Sequence, residues 1–500
     1  MSLTIDASPP AGAAPTVRRL RPAIGLVLLA VGLAAINPAT LSGTATLVLA
    51  GVTALIVCAR AWRRPAGYLA PAGLPLGYAL VLHVLPLLVA DRFMFEGASA
   101  TVASGVVSPA MADDPTTRAL GVFLLGLVAM ILIVAPDPVS STVLRARLDR
   151  PLGPLARALR VTGRSALLAS IALQGLHLAR NGVTRDAPEG LDAELTTMGR
   201  LALFMGAAAI AVASGDRRRR RGRLPLADLG LLVTALGLAF TWGSRSTLLA
   251  PALLLVFVLG ARRILTGRRL LAAALAGVIV LVGVAELRRD GPESINGVGL
   301  ATVPERVVRD LNAPTYLTFY TLRAHRLDPL EGPTGGSSYV AAVPRLLPSA
   351  ATAGFGWDLP PLGTTQYREL IEFDDPRRGF GFATVTEGVL NFGFVGAFGS
   401  GVATGLALAW SYRLLVIGGT GLVARWLYPV LFASLPWFLR SDVLQGAKPP
   451  LYAIALLGAT ALATRIAARG AGRRPGPDRD PAVWRRGAPA TDPRRQPVPA

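Results

Sequence analysis

Apolar stretches long enough to cross a bilayer recur along this chain, separated by short polar breaks. A hydrocarbon core of about 30 Å takes about 20 apolar residues as a helix. On that measure spans are predicted near 22–39, 42–59, 66–90, 119–135, 165–179, 197–214, 225–242, 246–260, 270–286, 384–409, 421–438 and 450–467. The pattern predicts an all-α polytopic membrane protein of about 12 transmembrane helices. Residues 1–17 and 468–500 are rich in Pro, Ala, Gly and Arg with little apolar periodicity, and both read as disordered. Nine spans fall within 18–286 and three within 384–467, with one long polar loop, 287–383, between helices nine and ten. Arg18, Arg19 and Arg21 precede the first span, but with eleven more spans behind it the segment reads as a retained helix rather than a signal peptide.

Composition agrees: 52% of the 500 residues are hydrophobic and only 16% are charged. A soluble chain of this length would need far more polar surface. The net charge of +21 is unevenly placed. With both termini inside, the inside segments hold 33 Lys and Arg against 8 Asp and Glu, and the outside segments 18 against 22. Arg60–Arg64, Arg145–Arg164, Arg217–Arg223 and Arg262–Arg269 all fall on the inside, as short cytoplasmic loops require. The arginine runs therefore encode topology, and no nucleic-acid partner is expected. Lys448 is the one lysine, and the Arg, Ala, Gly and Pro richness is that of a GC-rich bacterial genome. The expected location is the bacterial cytoplasmic (inner) membrane, multi-pass, with both termini cytoplasmic and the long loop extracytoplasmic.

Several chemistries find no support. Cys58 is alone, and His83, His177 and His325 are far apart, so no metal-ligand spacing exists and no cofactor is expected. A Gly-x-Ser-x-Gly turn is absent. His83 and His177, each inside an apolar span, read as hydrogen-bonded core residues.

The outer loop is too long and polar to be a simple connector. Residues 301–326 are expected to form one or two helices on the membrane surface, with Tyr316, Phe319 and Tyr320 facing lipid or substrate. The Pro- and Gly-rich stretch 329–363 reads as irregular loop. The loop carries ten arginines interleaved with carboxylates such as Glu369 and Asp375. Outside positive charge runs against the topology rule; a phosphate-bearing ligand is one explanation, and pairing within the loop is the other.

The densest signal follows. Arg377 and Arg378 lead into Gly-Phe-Gly-Phe-Ala-Thr384-Val-Thr-Glu387, then Asn391-Phe-Gly, then Gly396 and Gly399. Thr384, Glu387 and Asn391 share one helical face at the outer end of span ten. A carboxylate there is either functional or the Glu of a Thr384-x-x-Glu387 capping box. Arg245, in a Gly-Ser-Arg turn, and Arg440, two residues before Asp442, lie at other outer helix ends. Each is either a substrate contact or a snorkelling interfacial arginine.

With these motifs the stretch 225–445 resembles the bacterial oligosaccharide repeat-unit polymerases, the O-antigen polymerase or Wzy-like family. The carriers are Gly243-Ser244-Arg245, the long loop, Glu387 with Asn391-Phe392-Gly393 and Gly396, and Arg440 with Asp442. The resemblance implies a glycosyltransferase that polymerises polyprenyl diphosphate-linked oligosaccharide units. Its partners would be membrane lipid, a chain-length regulator and a flippase. Glu387, Arg245 and Arg440 would be catalytic; Arg377, Arg378, Asn391, Glu369, Asp375 and Asp442 would bind substrate. A ligase acting on the same lipid-linked glycan and a polytopic transporter or flippase remain open. So does a metal-dependent transferase using polyprenyl monophosphate sugars, supported only by Asp113-Asp114 in the second outer loop.

Overall fold

A computed structural model describes residues 15–89, 113–149, 152–181, 190–215, 225–241, 245–267, 269–270, 313–324, 334–347, 360–370, 382–418 and 421–470. Every element among them is helical. In chain order they are α1 (Pro15–Ile36), α2 (Gly43–Trp62), α3 (Leu74–His83), α4 (Leu85–Val89), α5 (Asp114–Val134), α6 (Ser141–Leu148), α7 (Pro154–Asn181), α8 (Gly190–Ser214) and α9 (Leu226–Thr241). There follow α10 (Arg245–Ala261), α11 (Ala313–Ala324), α12 (Ser337–Arg345), α13 (Gly363–Leu370), α14 (Thr384–Arg413), α15 (Leu422–Ala433), α16 (Leu435–Arg440) and α17 (Val443–Gly470).

Five of these segments are long and apolar enough to cross a membrane: Gly43–Trp62, Asp114–Val134, Glu194–Ser214, Thr384–Gly418 and Val443–Arg469. Leu20–Ile36, Leu74–His83, Leu226–Ala239, Leu248–Ala261 and Leu422–Ala433 are apolar but shorter. The protein is an α-helical membrane protein. Two stretches predicted as single spans are interrupted. In 66–90, α3 ends at His83 and α4 restarts with Pro86 in its first turn; in 421–438, α15 ends at Ala433 and α16 restarts with Pro436 at its start. A proline supplies no amide to the preceding turn, so each apolar stretch divides there. The stretch 270–286 lies almost wholly outside the described residues.

Helix α5 is the most apolar and most enclosed of the five spans, with α1, α2 and α14 packed around it. Asp113 caps its N-terminus by accepting from the Thr116 amide at 3.0 Å, with Pro115 in the first turn. Close approach rests on small residues: a Cβ on Gly401 would overlap the Phe123 carbonyl, and one on Gly121 would lie 2.8 Å from the Leu47 amide nitrogen. A second pair, α7 and α8, meets through Gly163 and Gly206, and Ser170 donates to the Gly199 carbonyl at 2.8 Å.

One end of the bundle is held by ion pairs. Asp137 lies 3.1 Å from Arg21 and 3.7 Å from Arg64. Asp149 lies 3.2 Å from Arg145 and 3.1 Å from Arg262, and Asp228 lies 3.4 Å from Arg160 and 2.6 Å from Arg164. These pairs tie α1 to the loop after α5, the end of α6 to α10, and α7 to α9.

The loop before α14 departs from its expected form. Helix α11 does not lie on a surface with Phe319 facing outward. It packs on α14, α5 and α3, and Phe319 is buried with Leu317, Tyr367, Phe382 and Leu390. The side chains of Tyr316 and Tyr320 lie outside the described residues. Helix α12 replaces part of the irregular stretch expected over 329–363, and α13 begins at its end. Gly335 and Gly336, both at positive φ, turn the chain into α12.

Candidate functional site

Helix α14 is broken near its start. Phe392 (φ −144°, ψ 26°) and Gly393 (φ 56°, ψ −139°) leave the helical region, so residues 384–391 form a short half-helix ahead of the long inner one. The backbone at Gly393 suits glycine alone among residue types. Gly388 and Gly396 close up across the break, where a Cβ on either would strike the other's carbonyl. The Leu390 carbonyl freed by the break accepts from both the amide (3.2 Å) and the hydroxyl (3.0 Å) of Thr334.

Glu387 sits on that half-helix and is 1% exposed. One carboxylate oxygen accepts from the Ser338 hydroxyl of α12 at 2.8 Å, and the other accepts from the Val443 amide, the first of α17, at 2.6 Å. Asn391, one turn on, donates to the Ser338 oxygen at 2.7 Å and accepts from the Thr334 hydroxyl at 2.9 Å. Asp442 caps the same helix, accepting from the Gln445 amide at 2.7 Å, and is also 1% exposed. Burial pushes the Asp442 carboxyl above its ordinary range, opposed by its bonds from Gln445 and Thr364. Two buried carboxylates thus share one helix N-terminus, whose unpaired amides and dipole favour negative charge. Among the described residues neither is ion-paired to an arginine or lysine.

The capping box read from Thr384-x-x-Glu387 does not form. Ala383 is the N-cap and gives no side-chain bond; the Thr384 hydroxyl donates to the Phe438 carbonyl, and Glu387 reaches across to α17. A buried carboxylate takes the strongest unpaired donor within reach, and here that is another helix's first amide. Gly363, at the start of α13, has no side chain to intrude on Glu387; a Cβ there would lie 3.0 Å from the carboxylate oxygen.

Of the residues singled out from sequence, Glu387, Asn391 and Asp442 come together. Arg440 ends α16 two residues before Asp442 and donates a hydrogen bond to the Tyr78 hydroxyl oxygen. Arg245 opens α10, which packs on α16, but its side chain lies outside the described residues. Glu369 belongs to α13 with its side chain likewise outside, and Asp375, Arg377 and Arg378 lie wholly outside. Asp113 and Asp114 are occupied structurally. Asp113 caps α5, while Asp114 pairs with Arg118 at 2.8 Å and accepts from the Gly43 amide. His83 is fully buried against the Phe123 ring at 5.0 Å, with no hydrogen-bond partner among the described residues, unlike the bonded role expected. His177 bonds Asn181 at 3.1 Å.

Ser338, Thr334 and the Val443 amide went unnoticed in the sequence. The signal for Ser338 was the spacing of Val340, Val343 and Leu347, which marks α12 as an amphipathic helix with one outward apolar face. Beside the site, an apolar cavity of about 550 Å³ runs along α14 below the break.

No protein family, curated protein or solved structure matches this chain.

Proposed function

We propose that the protein is a membrane glycosyltransferase that polymerises polyprenyl diphosphate-linked oligosaccharide units at the outer face of a bacterial cytoplasmic membrane. In this reading about 12 helices span the bilayer, both termini are cytoplasmic, and residues 287–383 lie outside. The observation that carries it is Glu387: a buried carboxylate with two neutral donors and, among the described residues, no cation, set in a membrane-spanning helix beside an apolar cavity. Buried carboxylates without counter-ions are costly and mark function.

The chemistry is a displacement. A hydroxyl of one lipid-linked unit attacks the anomeric carbon of another and passes its proton to Glu387 as general base. The bond from the anomeric carbon to the diphosphate oxygen breaks, and lipid diphosphate leaves. Arg245, Arg377, Arg378 and Arg440 offset its charge as preorganised cations, with no metal ion. Asn391, Asp442, Glu369 and Asp375 contact the sugars. A chain-length regulator and a flippase would work beside it.

The test is the glycan profile, lipid-linked and surface-bound, of a strain lacking the gene and complemented with wild type or Glu387→Gln. Accumulation of single repeat units with loss of long polymer supports the reading. Long polymer persisting on its lipid carrier indicates a ligase. The break in α14 favours one second reading, a transporter or flippase for lipid-linked glycans, because interrupted helices recur at transport sites; an unchanged profile in the strain lacking the gene would favour it.

A further inference from the structure

Helix α14 carries two faces of small residues, and among the described residues only one packs tightly on a neighbouring helix. Gly401 and Gly405 meet the backbone of α5. Gly396, Gly399, Ser400, Ala403 and Ala407 instead line the cavity, whose far wall is Leu431, Leu435 and Phe438 of α15 and α16. The lining from Val395 to Leu408 covers 13 helical steps, about 20 Å at 1.5 Å per residue, which is most of a hydrocarbon core. Among the described residues its outward rim is uncovered: Phe392 and Val395 are 43% and 51% exposed on a helix long and apolar enough to cross a membrane. Apart from Thr404, the polar groups gather toward one end. There Tyr339 of α12 lies 6.1 Å from the Phe392 ring and bonds Ser400 at 3.2 Å, while Thr384 and Val443, the latter donating to Glu387, complete the lining.

We infer that this groove holds the polyisoprenoid chain of the lipid-linked glycan, with its phosphate end at Tyr339 and Thr384, beside Glu387. A slot open to one side among the described residues, lined mainly by apolar and small residues and with its polar side chains other than Thr404 toward the carboxylate end, matches a long hydrocarbon with one charged terminus. Small residues along the floor leave room for a chain with a methyl branch on every unit. The identity of the chain rests on the glycosyltransferase reading; the shape and lining of the slot do not.

The experiment uses the full-length protein in nanodiscs of phosphatidylethanolamine and phosphatidylglycerol, irradiated with a polyprenyl phosphate bearing a chain-end diazirine. Adducts are expected on α14 between Gly396 and Leu408 and on α15 and α16. Filling the slot with Ala403→Phe plus Ala407→Phe should lower adduct yield about tenfold, equivalent to about 1.4 kcal/mol. Leu55→Phe, on the exposed face of α2, should leave it unchanged. Adducts spread evenly over lipid-facing helices, or a diazirine phosphatidylglycerol labelling the slot equally well, would overturn the inference. The wild-type adduct map decides even if the double variant fails to fold. Labelled groove with intact polymer in the strain lacking the gene would sink the polymerase reading and spare the groove; lost polymer with the label elsewhere would do the reverse.

Discussion

Carboxylates occur at both ends of this helical bundle and are treated in opposite ways. At one end Asp137, Asp149 and Asp228 each sit between two arginines. At the other, Glu387 and Asp442 are held by hydroxyls and amides at the start of α17, with no arginine or lysine paired to them among the described residues. The first arrangement spends the charge on structure, since each carboxylate is neutralised by cations that fasten neighbouring helices. The second leaves the carboxylates without a cation among the described residues. A helix terminus and a few neutral donors stabilise an anion without quenching it, which is what a proton acceptor needs.

The comparison is broken most directly at Glu387. Replacing Glu387 with Gln keeps one carbonyl oxygen to accept from the Val443 amide, turns the other arm into an NH2 that faces the Ser338 oxygen, and removes the base. Polymer formation by purified protein should fall about 10²- to 10⁴-fold, the usual range for a lost general base, while the thermal unfolding midpoint stays near wild type. Equal rates in the two proteins would show that Glu387 only caps α17. At the other end Asp228→Asn should do the opposite. It leaves Arg160 and Arg164 without their anion and should destabilise by about 2 kcal/mol, below the 3–5 kcal/mol typical of a fully buried pair because the Arg164 side chain is 40% exposed. Denaturant unfolding in detergent reads this, with turnover per folded molecule preserved.

Gly393→Ala tests whether the break itself is required. A Cβ at that backbone conformation costs on the order of 1–3 kcal/mol, and the variant should lose both stability and turnover, since straightening the helix would displace Glu387. The smallest change is Ser338→Ala, which removes one hydrogen bond to Glu387 and one from Asn391. About 1 kcal/mol per bond predicts a several-fold drop in kcat with KM little altered, and Ser338→Thr should restore it. A KM effect instead would place Ser338 against substrate rather than behind the base.

Periodicity in the sequence located most helices, because a run of 20 apolar residues has few other folds. It could not place the interruptions at Val84 and Ser434, where Pro86 and Pro436 divide stretches that look continuous by hydropathy. The site was half legible. Glu387 and Asn391 are one turn apart on the same helix, so spacing alone put them on one face. Their partners come from α12 and α17, 49 and 56 residues away along the chain. Only tertiary packing brings such residues together, and no local pattern encodes it. The capping box misled for the same reason: the motif is local, and the amide that Glu387 takes is not.

The break at Phe392–Gly393 also sets how the molecule comes apart. The half-helix 384–391 is tied to α12, through Ser338 and Thr334, and to α17 more directly than to the rest of its own helix. Its amides should therefore exchange with solvent deuterium together with those of α12, as one cooperative opening unit, while the inner half of α14 follows α5. The part of the chain bearing Glu387 would open and close on its own clock, leaving the rest of the bundle shut.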